Sequence, residues 1–184
     1  MHWPGFRDDG GLILPLDPRP LLSPGLPLRL RLDGHVLVRK PELHMTLLNR
    51  EAGTALRARL GDARIRAVFE SLQWAPRGTG HCALLHKAKD QWDGPLDAWS
   101  LIEHLQAPAL AEFRYRLAQA SGRELDCGVP HATLYVAGDP HGIGLPDIAA
   151  YRACLVREVR KSEIIRDPGL DPPPGPDPSP DPIA

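Results

Sequence analysis

LRLRLDGHVLVRK, residues 28–40, decides the architecture of this 184-residue chain. From Leu28 to Leu32 apolar and basic residues alternate strictly, the period-two pattern of a half-buried strand. Asp33-Gly34 follows, and His35–Arg39 reads as a second strand. Asp-Gly between two such runs is the sequence of a tight two-residue hairpin, so the sheet is antiparallel here. Working outward, Pro41 punctuates and Leu43–Leu48 reads as a third strand. Ala55–Leu72 has helical spacing through Leu56, Leu60, Ile65, Val68, Phe69 and Leu72, with Gly61 weakening its middle. Cys82–Lys89 reads as a strand. Asp97 is expected to cap a helix from Ala98 to about Ala120, kinked by Pro108 and ended by Ser121-Gly122. Val129–Val136 and Arg152–Arg160 read as further strands. Strands and helices in this order predict an α+β fold with largely antiparallel sheet.

Composition narrows the class. At 42% hydrophobic and 24% charged, the chain is long enough for one well-buried domain, expected over residues 28–166. Residues 1–27 read as a Pro-rich N-terminal segment. Residues 167–184, rich in Pro and Asp, read as a disordered or extended tail. The net charge of −1 is unevenly spread, because the last 18 residues hold four Asp and no Lys or Arg. The remainder carries a small basic excess, too little for duplex DNA but suited to a small phosphorylated ligand. No apolar run is long enough to span a membrane, and no secretory signal pattern opens the chain. Cys82, Cys127 and Cys154 form no CxxC pair, so neither a disulfide framework nor a four-ligand zinc site is expected. A cytoplasmic monomer that touches neither membrane nor duplex DNA is the expectation.

The most informative pattern occurs twice: His44-Met45-Thr46-Leu47 and His131-Ala132-Thr133-Leu134. From the composition, roughly 0.03 His-x-Thr-Leu matches are expected by chance, so two carry information. Both copies fall in predicted strands, where residues i and i+2 face the same way. Each therefore presents an imidazole beside a hydroxyl, with Tyr135 extending the face of His131 and Thr133. Imidazoles titrate near neutrality, so one can take a proton from water while the other protonates a leaving alkoxide. Two hydroxyls can donate to the oxygens on which phosphoryl transfer places charge. Such a set handles a phosphodiester without a metal. The chain carries no P-loop, HExxH, GxSxG or GxGxxG pattern.

Two His-x-Thr motifs on strands of an α+β chain resemble the two-histidine (2H) phosphoesterase superfamily, which includes 2′-5′ RNA ligase-like and cyclic phosphodiesterase-like proteins. The resemblance runs from about Leu28 to Arg160 in element order, and its specificity lies in the two tetrapeptides and their apolar flanks. It implies a bilobal fold, two antiparallel sheets with outer helices around a central cleft that has both motifs at its base. It also implies metal- and cofactor-free action on nucleotide or RNA-end phosphodiesters, notably 2′,3′-cyclic phosphates. Carried over, His44 and His131 are the catalytic acid/base pair and Thr46 and Thr133 the phosphate binders, with Tyr135 a further substrate contact. A 2′-5′ RNA ligase-like activity and a non-catalytic nucleotide-binding module are the alternatives. Trp74 and Trp92 read as packing residues or a base-stacking wall. Lys87, Arg157, Arg160 and Lys161 should border the cleft as solvated surface, while His81, His86, His104 and His141 show no site-forming spacing.

Overall fold

Asp33 and Gly34 both take left-handed backbone conformations, φ 49° and 83°, as a two-residue hairpin requires. They join β2 (Arg29–Leu32) to β3 (His35–Arg39), with Leu32 opposite His35 and Arg29 opposite Val38. Leu30, Leu32 and Leu37 are buried, and Arg29 and Arg31 face solvent. The computed structural model describes residues 2–22, 26–91, 94–125 and 128–164, so Trp92, Cys127 and the 167–184 tail lie outside the described residues. Around the hairpin stand β1 (Leu12–Pro15), α1 (Pro18–Leu21), β4 (His44–Leu48), α2 (Arg50–Leu60), α3 (Asp62–Glu70) and β5 (Arg77–Gln91). Then follow β6 (Gly94–Gln106), α4 (Pro108–Ser121), β7 (His131–Ala137), α5 (Ile148–Cys154), β8 (Leu155–Arg160) and a 3-10 turn, Lys161–Glu163.

The fold is α+β with two antiparallel sheets: β1-β4, and a curled half-barrel in the order β2-β3-β7-β6-β5-β8. The curl brings the hairpin tip back across the sheet. Asp33 meets Arg157 of β8 at 2.8 Å, and His35 stacks on Trp99 of β6 at 3.7 Å between ring centroids. One face of this sheet joins the main core with β1, β4 and the helices α2–α4, through Leu47, Phe69, Leu84, Leu101 and Phe113. The other face packs under α5 and its preceding loop, through Ala83, Leu85, Ile102, Ile143 and Cys154. No helix among the described residues is long and apolar enough to cross a membrane.

Several expectations are corrected. Residues 94–106 form a strand, and the helix begins only at Pro108. Ala98, Leu101, Ile102 and Glu103 are all fully buried, so β6 is covered on both faces and loses the alternation that marks a strand. Pro108 sits at the start of α4, where its missing N–H costs nothing, and does not kink a longer helix. The helix expected over Ala55–Leu72 is two helices starting earlier, at the Asn49 cap, and divided by Gly61 at φ 74°. Within Arg152–Arg160, the residues up to Cys154 belong to α5, capped by Asp147. The folded unit also begins before Leu28: β1 lies inside the Pro-rich segment, with Leu12 and Leu14 in the core. Trp74 is a packing residue, its indole N–H donating to the Phe69 carbonyl and its ring stacked on Phe69.

Candidate active site

The two His-x-Thr strands come from different sheets and lie side by side. In β4, Met45 and Leu47 are fully buried while His44 and Thr46 look outward, opposite Pro15 and Ile13 of β1. In β7, Ala132 and Leu134 are buried while His131 and Thr133 look outward, opposite His104 and Ile102 of β6. Arg114 of α4 ties the strands together from behind. Its guanidinium donates to the carbonyls of Leu47 at 3.0 Å, Thr46 at 3.3 Å and Gly128 at 3.3 Å. A buried cation thus satisfies backbone acceptors on β4 and on the segment that leads into β7, and ties the two together.

His44, Thr46, His131 and Thr133 all line one cavity of about 300 Å³. Its far wall is the loop that runs from Asp139 to Pro146 and includes His141 and Ile143. That loop is fastened to the sheet where the Ile143 N–H donates to the Ser100 hydroxyl, and it is braced internally where Asp139 accepts from the His141 N–H at 2.8 Å. A second cavity of about 310 Å³ adjoins the first and shares Thr46, Leu48, Asn49, His131, Leu145 and Pro146 with it. Ala52, Leu56 and Leu125 give this second space an apolar side. The His131 imidazole stands where the two meet.

The His131 ring is oriented from below. Its Nδ1 lies 2.7 Å from the Val129 carbonyl oxygen, which can only accept, so Nδ1 carries hydrogen and neutral His131 offers Nε2 as base. Burial, above all, pushes this imidazole below the ordinary histidine value, against the opposing pull of the Val129 carbonyl, with His104, His44 and Arg114 lowering it further. Burial likewise lowers His44, helped by Lys40 and Arg7 and opposed by Glu42. Each histidine is therefore readily neutral, and each becomes a strong proton donor once charged.

No family model matches the chain, and neither does any curated protein or solved structure. The site stands on its own geometry.

Tyr135 is not part of it. Opposite β6 the register slips, Leu101 pairing with Tyr135 and Ile102 with Thr133, so Leu134 is an extra residue in β7. Such a bulge reverses the alternation beyond it. Tyr135 consequently turns into the core, fully buried, and its hydroxyl donates to the Pro27 carbonyl at 2.9 Å. Of the four cations expected to border the cleft, none lines either cavity. Arg157 pairs with Asp33 and Glu163, and Lys161 pairs with Glu103. Residues that spacing did not single out do contribute: Arg7, Asn49, Arg50 and His141 line the motif cavity, and His104 stands across from His131. Asn49-x-x-Ala52, a helix cap directly after the first motif, was the one legible signal among these. Among the described residues, no three His, Cys, Asp or Glu side chains group as a metal site.

Proposed function

We propose that the chain is a phosphodiesterase of the 2H type, hydrolysing a cyclic nucleotide or RNA-end 2′,3′-cyclic phosphate by paired-histidine acid/base catalysis. One observation carries the reading: two motifs 87 residues apart contribute both imidazoles and both hydroxyls to a single cavity. The adjoining half-apolar cavity is of the size and character that a nucleoside requires. The β1-β4 sheet and the curled sheet, each carrying one motif, are compatible with the two lobes of that family.

In this mechanism one neutral imidazole takes a proton from water as the oxygen attacks phosphorus. The bond from phosphorus to one ribose oxygen breaks, and the second, protonated imidazole gives that oxygen its proton. The product is a phosphomonoester, and the two histidines have exchanged protonation states. Thr46 and Thr133 donate to the non-bridging oxygens as charge grows on them. Each positioned proton transfer contributes about 10²–10⁴-fold. Two histidines supply both transfers, so the reaction needs no metal.

The decisive measurement is turnover of 2′,3′-cyclic mononucleotides and cyclic-phosphate-ended oligonucleotides in EDTA. Activity should persist with chelator, and His44→Ala or His131→Ala should each lower kcat by at least ~10². Full activity in either variant removes the assignment. Ligand binding without product release would favour a non-catalytic nucleotide-binding module, and joining of RNA ends a 2′-5′ ligase-like activity.

A further inference from the structure

The motif cavity carries more positive charge than one phosphodiester calls for. Arg7 and Arg50 line it, and neither belongs to a His-x-Thr motif. Arg7 comes from the turn that precedes β1, and Arg50 is the first residue of α2. Several arginines of this fold are already committed: Arg57, Arg66, Arg116 and Arg157 each grip a carboxylate. Among the described residues, the guanidinium groups of Arg7 and Arg50 have no such partner. The carboxylate on the same wall, Asp9, is turned to its own loop and accepts from the Gly11 N–H at 2.9 Å.

The turn that carries Arg7 is anchored. The Arg7 N–H donates to the Gly11 carbonyl at 2.8 Å, and the Gly10 N–H returns to the Arg7 carbonyl at 2.9 Å. Gly10 lies so close to α2 that a Cβ on Gly53 would come within 2.0 Å of its carbonyl oxygen. Trp3 and Phe6 pack edge-to-face, Trp3 reaching Phe69 of the core, and the Arg57 guanidinium covers Phe6. The wall is thus fixed. Arg7 is also close enough to His44 to disfavour its protonated form.

We infer that Arg7 and Arg50 form a second anion subsite, which takes a phosphate other than the one held between the histidines. The substrate class follows: a nucleotide with a terminal phosphomonoester in addition to its diester. Guanidinium forks match phosphate oxygens two at a time, and a monoester brings a charge of about −2 where the scissile diester brings only one. The inference rests on the proposed function for the location of the scissile phosphate, and its test separates the two.

Equilibrium binding of adenosine 3′,5′-bisphosphate and adenosine 3′-monophosphate is measured by calorimetry at fixed ionic strength, alongside turnover of adenosine 2′,3′-cyclic phosphate with and without a 5′-phosphate. Wild type should bind the bisphosphate about 10-fold or more tightly than the monophosphate. The Arg7→Ala/Arg50→Ala variant should bind the two nearly alike, and Arg7→Lys/Arg50→Lys should restore part of the preference. Single Arg7→Gln and Arg50→Gln variants, each checked for the wild-type unfolding temperature, take over if the double alanine does not fold. Equal affinities in wild type, no binding of either nucleotide, or a preference that survives loss of both arginines overturns the subsite. A preference that depends on the arginines, without turnover of any cyclic phosphate, upholds the subsite and removes the catalytic reading. Turnover with no preference for the extra phosphate does the reverse.

Discussion

At the residue scale the informative property is the protonation of two imidazoles. Burial lowers His44 and His131 alike, so both are predominantly neutral at pH 7 in the free protein. The proposed reaction needs one of them charged, and that fraction shrinks as pH rises. The bell-shaped profile of kcat/KM should therefore peak on the acid side of ~6.5, the ordinary histidine value. Measured across pH 4.5–9 in one ionic strength, an optimum at 8 or above would contradict the assignment. The same burial affects folding with a definite sign. The unfolded chain binds these protons more readily than the native one, so stability from this source falls as pH drops below about 6.5. His44, Thr46, His131 and Thr133 were legible because a repeated motif is a local signal. Tyr135 was not, since a bulge is decided by the neighbouring strand. Arg7 and Arg50 were not either, because nothing in their own surroundings says which wall they will line.

At the element scale, spacing between motif strands depends on Arg114. Replacing it with Met leaves the carbonyls of Thr46, Leu47 and Gly128 without their charged donor inside the protein. Arg114→Met should lower stability by about 2–4 kcal/mol and reduce kcat more than it changes KM, read from denaturant unfolding and steady-state kinetics. Gly53 tests the contact between α2 and the N-terminal turn. Alanine inside a helix is normally about 1 kcal/mol better than glycine, yet at Gly53 its methyl would meet the Gly10 carbonyl. Gly53→Ala should instead destabilise by about 2 kcal/mol, seen as a lower denaturation midpoint, and a gain in stability would show the turn is not packed as described. The β2-β3 hairpin, the strand β7 and the Gly122 stop of α4 were readable because each is settled by turn chemistry or by alternation on one buried face. β6 was hidden by burial on both faces, and β1 by its surrounding prolines, its strand character coming only from pairing with β4.

At the scale of the whole molecule, the end of α1 and the turn after β8 are fastened to the sheet through one carboxylate. Glu103 is fully buried in β6; its Oε1 accepts from the Gly80 N–H and lies 3.0 Å from Lys161 Nζ, while Oε2 has no hydrogen-bond partner. Lys161 also donates to the Leu21 carbonyl at the end of α1. Lys161→Met should cost about 2–4 kcal/mol, since it strands a buried carboxylate. The added substitution Glu103→Gln should recover part of that loss, and chemical denaturation of the single and double variants measures both.

The strand order has a consequence for synthesis. β7 is translated after β2, β3, β5 and β6, yet it is the strand that joins β3 to β6. A nascent chain that stops before His131 therefore holds β2-β3 and β5-β6 as separate ribbons, each showing an open backbone edge. Joining the two ribbons waits for β7, and the cavity shared by both His-x-Thr motifs forms with it, leaving β8 to add the outer edge beside β5.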